Sequence, residues 1–214
     1  MFNSCVIYER EGKMKKTSIK SINIKKFIPL LAIIGILLVC GTLLIINKKN
    51  NELEKVFMHA SWAYRYADVE DLTKNSDCIA IIKVMDNGSS YRKDIVPDTI
   101  FSAKVTRAIY NCEKDDKLEI YMTGGIRDSK IFELRDDPLM KKGEEYLIFA
   151  KKNEDGTVTT LTGTQGRMHY KNGKISSLNV VNHQVKESSG STIMIDNVSE
   201  DAFIKEIKEY IANK

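Results

Sequence analysis

The sequence lacks the short patterns that announce catalysis or metal binding. There is no C-x-x-C and no zinc-type spacing among its four cysteines, so a structural zinc module is excluded on pattern. His59, His169 and His183 are its three histidines, and none has an H-E-x-x-H or paired-Cys neighbour. G-x-S-x-G and a nucleophilic S-x-x-K are missing, and Gly124-Gly125 has no following Gly-Lys-Ser/Thr to make a phosphate loop. No internal repeat is visible, no cofactor is implied, and tryptophan occurs once, at Trp62.

Charge is short where a bilayer would require it to be. From Phe27 to Ile46 twenty consecutive residues, FIPLLAIIGILLVCGTLLII, carry none, and fourteen of them are Leu, Ile, Val or Phe. At 1.5 Å per residue such a helix crosses the roughly 30 Å hydrocarbon core. Seven Lys or Arg stand against Glu9 and Glu11 before this run, a net of +5, which leaves the remainder of a +4 chain at −1. The positive-inside bias therefore predicts residues 1–26 as a cytoplasmic tail, 27–46 as a signal anchor in the lipid bilayer, and everything beyond it as extracellular. A cleaved signal peptide fits less well, because the apolar run is long and ends in LLIINKKNN without a small-residue site. Val39 before Cys40 argues against lipidation, and Met14 offers an alternative start. With the basic charge confined to the tail, no basic stripe remains for nucleic acid.

Beyond the anchor, the domain plan is a juxtamembrane linker and helix over 47–75, a barrel over 76–183, and a loop and helix over 184–214. Leu53, Val56, Phe57, Ala60, Ala63, Tyr64 and Ala67 recur at three- and four-residue steps, which predicts a helix over 51–75. On its opposite side Met58, Trp62, Tyr66 and Val69 form a second apolar stripe, which is either clamped between the barrel and the closing helix or offered as a binding face centred on Trp62. Strand signals then follow: CIAIIKV, the alternating stretch Thr99–Tyr110, Leu118–Met122, EYLIFA, and Val158–Leu161 after Asp155-Gly156. In Thr99–Tyr110 the core-facing set is Phe101, Ala103, Val105, Arg107 and Ile109, with Arg107 the odd member. Asn172-Gly173 predicts a hairpin between Arg167–Tyr170 and Lys174–Leu178. Ser199 caps a closing helix whose apolar face is Phe203, Ile204, Ile207, Tyr210 and Ile211. The fold class is mostly β (α+β): one transmembrane helix, then a small antiparallel OB-like β-barrel flanked by helices.

Asp128, Glu133, Asp136 and Asp137 gather in the loop before EYLIFA, the weak candidate set for a cation or for hydrolysis. Arg127, Lys130 and Arg135 interleave with them, which favours a self-neutralised loop. Cys78, in an apolar strand, and Cys112, in the turn NCEKDD, are expected as two unpaired thiols.

The series NSDCIAIIKV, TIFSAKVTRAIY, LEIYMTGG and DPLMKKGEEYLIFA resembles the OB-fold barrels of the netrin-like and metalloproteinase-inhibitor (TIMP-like) group over about residues 70–180. It is similar, more closely, to membrane-anchored or secreted proteins of Gram-positive bacteria with the same signature. The resemblance implies the barrel but not zinc-chelating inhibition, which needs an N-terminal cysteine on the domain. The function expected is therefore a cell-surface, non-enzymatic binding module with an extracellular protein or wall polymer as partner. The alternatives are a wall- or peptide-directed hydrolase using the acidic loop and His169, or an accessory subunit of a membrane complex.

Overall fold

The computed structural model describes residue 37, residues 53–92, 95–178, 180–181, 184–185 and 193–214. The chain divides after Glu52, and the fold below is that of the second unit, Leu53–Lys214. The expected span 27–46 lies outside the described residues except for Leu37, which is helical and exposed. No helix among the described residues is long and apolar enough to cross a membrane.

The strands are β1 Glu54–Met58, β2 Cys78–Val84, β3 Ser89–Arg92, β4 Pro97–Tyr110, β5 Lys117–Thr123, β6 Gly125–Arg127, β7 Lys130–Leu134, β8 Glu145–Lys152, β9 Val158–Thr160, β10 Arg167–Lys171, β11 Lys174–Ser177, β12 Val180–Val181, β13 Gln184–Val185 and β14 Val198–Ser199. The helices are α1 Val69–Asn75 and α2 Glu200–Ala212. Five strands close a ring in the order β8-β2-β4-β5-β9. Its seam is formed by β9, which pairs in parallel with β5 at Ile120–Val158 and antiparallel with β8 from Ala150–Thr160 to Lys152–Val158. This closed five-stranded barrel is consistent with an OB-like barrel. β10, β11 and β14 extend its sheet from β8.

The near-continuous apolar runs of β2 and β8 follow from burial on both faces. Ala80, Ile82, Val84, Ile148 and Ala150 point into the barrel with Phe101, Val105, Ile120 and Val158, which fill an interior only wide enough for side chains. Ile79, Ile81, Leu147 and Phe149 point outward into a second core, roofed by Leu72 of α1 and by Phe203, Ile204 and Ile207 of α2. Ser199 caps α2 as expected, accepting from the Ala202 amide at 3.3 Å. Asn172 and Gly173 both take positive φ, +52° and +72°, as the β10–β11 hairpin requires.

Three expectations need correction. Residues 54–68 are not helical: β1 pairs in parallel with β7, Glu54 to Lys130 through Met58 to Leu134, and an extended segment follows. Val56 and Phe57 suit a strand, and a partner strand overrides the three-and-four spacing that Leu53, Val56 and Phe57 happen to have. The helix proper starts at Val69, where the Asp68 side chain accepts from the Asp71 amide at 2.8 Å. Second, the stretch before EYLIFA is not only loop, since β6 and β7 form a hairpin there. Third, Arg107 does not face the barrel interior. A register shift sits between Val105, opposite Ile82, and Arg107, opposite Ile81, and this bulge turns Arg107 to the outer face. There it pairs with Glu200 and, at 3.1 Å, Asp201 in the first turn of α2.

Candidate functional site

The apolar stripe expected at Met58, Trp62, Tyr66 and Val69 is taken apart by the fold. Met58 ends β1, Trp62 and Tyr66 lie in the extended segment, and Val69 opens α1, so they share no helical face. Tyr66 and Val69 are buried in the outer core. Gln165 holds Tyr66 as a strand neighbour would: its Oε1 accepts the Tyr66 amide at 3.0 Å and its Nε2 donates to the Tyr66 carbonyl at 2.9 Å. Trp62 is half-buried, donates Nε1–H to Asp136 Oδ2 at 2.9 Å, and lies on Gly163, where an added Cβ would come within 2.5 Å of the indole. The expected result of Trp62→Ala is therefore a loss of about 2 kcal/mol of stability in chemical denaturation, below the range for a fully buried tryptophan. An unchanged midpoint would instead make Trp62 available to a partner.

The four carboxylates are separated in the same way. Asp128, at the β6–β7 turn, meets Arg127 at 3.2 Å. Glu133 accepts from Lys55 and from the Leu139 amide, both at 3.0 Å. Asp136 is held by Trp62, and Asp137 by the buried Arg167 at 2.9 Å. Among the described residues no group of three or more His, Cys, Asp or Glu could hold a metal ion. His169 stacks on Tyr146 with ring centroids 5.5 Å apart, and burial holds its imidazole below the usual histidine value. His59 is exposed in the extended segment, while His183 lies outside the described residues.

What the sequence did not single out is the outer face of β3, β4 and β5. The helices roof β2 and β8, but not this side. Register places Tyr91 opposite Asp98, and Ile100 between Ser89 and Tyr121. Tyr91, Ile100 and Tyr121 thus share one face of three strands, Tyr91 standing diagonally two residues from the Ser89–Ile100–Tyr121 row, and all three are at least partly exposed. Asp98 lies between the tyrosines, nearly buried, and accepts the Tyr121 hydroxyl. Burial first, and then this hydrogen bond, hold Tyr121 well above the usual phenol value, so it remains a donor at neutral pH. Burial and the Asp98 and Asp155 charges raise Tyr91 likewise.

Beside these side chains runs a groove of about 430 Å³, lined by Met85, Asp86, Ser102, Lys104, Lys117 and Glu119. Its floor is rigid at Asp86, whose Oδ1 accepts the Gly88 and Ser102 amides at 3.0 and 3.1 Å. Against the cost of burial, hydrogen bonds from Ser102 and Gly88 keep this carboxyl below the ordinary aspartate value. Aromatic planes with hydroxyl tips, a central acceptor and flanking charges of both signs suit recognition of an extended polar chain.

Fold and face together define a small closed β-barrel with two helices on one side and an open, tyrosine-bearing sheet on another. No family model matches the chain, and neither the curated proteins nor the solved structures give a match.

Proposed function

We propose that this chain is a membrane-anchored, extracellular binding module without enzymatic activity, built on a netrin-like/TIMP-like OB barrel. The observation that carries the binding reading is the contrast between the two outer faces. β2 and β8 are covered by α1 and α2, whereas β3, β4 and β5 display Tyr91, Ile100 and Tyr121 beside a groove. Barrels of this strand order commonly take ligands on their second and third strands, which are β4 and β5 here. The anchor reading is supported by the uncharged run from Phe27 to Ile46, within which Leu37 is helical and 66% exposed. The strand order supports the family resemblance. The partner is a wall polymer or an extracellular protein.

The full chain in detergent, incubated with purified wall fragments in one arm and with cell-surface protein extract in the other, should retain a specific partner. Tyr91→Ala with Tyr121→Ala should weaken that retention by roughly tenfold or more, because aromatic anchors dominate interfaces. Its melting temperature should fall by only a few degrees, for the donor that Asp98 loses with Tyr121, and the variant should stay folded. Retention by wall fragments identifies a polymer, and retention of one protein from the extract identifies a protein partner. Empty retention in both arms, or equal retention by the double variant, overturns the assignment. Extraction of the full chain from membranes by alkaline carbonate would separately overturn the anchor.

A further inference from the structure

Cys78 opens β2 with no exposed surface, and Cys112 follows the end of β4, half-buried. Ile79 pairs with Tyr110 across the β2–β4 ladder, and Asn111 then turns the chain with φ +50°. The two cysteines are therefore carried to the same end of two adjacent strands. The Cys112 thiol reaches back to β2: it donates to the carbonyl oxygen of Ile79, the residue after Cys78, at 3.4 Å, which brings the two thiols close enough to act on each other. Both are free thiols in this structure. Cys112 lies two residues past Tyr110, the last paired residue of β4, so the Asn111 turn rather than the ladder brings its sulfur back towards Cys78.

The pair is also asymmetric. Solvent reaches Cys112 and not Cys78. The neighbouring Cys78 side chain holds the Cys112 thiol below the usual value, with backbone groups at Ile109 and Tyr110 adding to it against the cost of burial. The Cys112 side chain in turn, and then burial, push Cys78 up. Lys152, whose Nζ lies 3.4 Å from the Asn111 carbonyl, and Asp116 are the charges beside the pair.

We propose that Cys78 and Cys112 are a redox-active dithiol, Cys112 attacking and Cys78 resolving, which closes to an internal disulfide by exchange with an external disulfide. In the first step the Cys112 thiolate attacks one sulfur of the incoming disulfide. That S–S bond breaks, one half leaves as a thiolate and takes a proton from water, and the other half stays on Cys112. In the second step Cys78 gives its proton to water and its sulfur attacks Cys112 Sγ, which expels the remaining half as a thiol. This chain loses two protons and two electrons, and the external disulfide gains both. The new bond ties the start of β2 to the turn between β4 and β5.

The test uses the full chain carrying Cys5→Ser and Cys40→Ser, so that the pair holds the only thiols. After equilibration with oxidised glutathione, acid quenching and alkylation, mass spectrometry should find the chain lighter by two hydrogens and unalkylated. Dithiothreitol should restore two alkylatable thiols. With Cys78→Ser added, a glutathionyl adduct should accumulate on Cys112, whereas Cys112→Ser should leave Cys78 modified at least about tenfold more slowly. Two alkylatable thiols persisting in oxidised glutathione, or a stable glutathionyl adduct on the chain that retains both cysteines, overturns the proposal. The first measurement needs neither single variant, so a folding defect in either leaves the outcome decisive.

Discussion

Replacing Asp137 with alanine should lower the free energy of unfolding by about 3–5 kcal/mol, the range for removing one partner of a buried ion pair. Arg167, the first residue of β10, has a side chain only 1% exposed, and its Nη2 donates to Asp137 Oδ1 at 2.9 Å. The Pro138 carbonyl accepts from the same nitrogen, Nη1 lies 3.5 Å from Met122 Sδ, and the guanidinium sits 5.1 Å from the Tyr146 ring centroid. Nε is buried and has no hydrogen-bond partner among the described residues. Without Asp137 a permanent cation stays in the barrel end with a carbonyl, a sulfur and a ring for company. Adding Arg167→Met should therefore recover most of the loss, because an apolar side chain of similar length leaves no charge to satisfy. Urea denaturation followed by circular dichroism measures both variants. A single variant as stable as the parent would show that the pair carries no weight.

The pair also sets a pH dependence. Burial pushes the Asp137 carboxyl above the usual aspartate value, with Arg167 opposing and Asp136 reinforcing the shift. The native chain therefore keeps a proton over an interval in which the unfolded chain has lost it. This contribution to stability is present below the unfolded value of about 3.9 and is lost as pH rises through the higher native one. Asp137→Asn should remove that slope.

Gly166→Ala should cost about 3 kcal/mol, at the upper end of ordinary overpacking, and lower the melting temperature by roughly 6–12 °C. A Cβ at Gly166 would lie 2.2 Å from the Leu161 carbonyl oxygen and 2.4 Å from its nitrogen. Those are backbone atoms and cannot rotate away. Nor can the segment shift freely, because both its ends are bonded to one residue of β8: the Phe149 amide donates to Gly166 O at 2.8 Å, and the Leu161 amide donates to Phe149 O at 2.9 Å. Gly156→Ala is the matched control. Nothing lies within 4 Å of its Cβ position, so only its φ of +87° is strained, worth about 1 kcal/mol. Equal melting temperatures for the two variants would refute the steric argument.

The elements legible in the sequence are those whose cause is local. Asn172-Gly173 dictates its own turn, Ser199 caps its own helix, and the apolar runs of β2 and β8 announce burial before their neighbours are known. β1 was illegible because its partner β7 lies far along the chain, and only that pairing distinguishes its short apolar spacing from a helical one. The bulge that turns Arg107 outward is likewise a property of two strands together. The tyrosine face could have been found only with the register in hand, since Tyr91, Ile100 and Tyr121 come onto one side of the sheet through β3–β4 and β4–β5 pairing. Trp62 stands out for its rarity, but its spacing leaves a clamped stripe and a partner face both open, and only the fold shows it covering Asp136 and Gly163.

The barrel's ring is unevenly strong. β9 contributes three residues and meets β5 at one paired position, Ile120 with Val158, whereas β2 lies between long ladders to β4 and β8. Thermal fluctuation therefore finds its cheapest opening at that seam, where parting a few bonds unrolls the cylinder into a curved sheet while both helices stay in place. Water would enter the interior there long before the remaining ladders yield, so the molecule's slow breathing has a fixed address beside Val158.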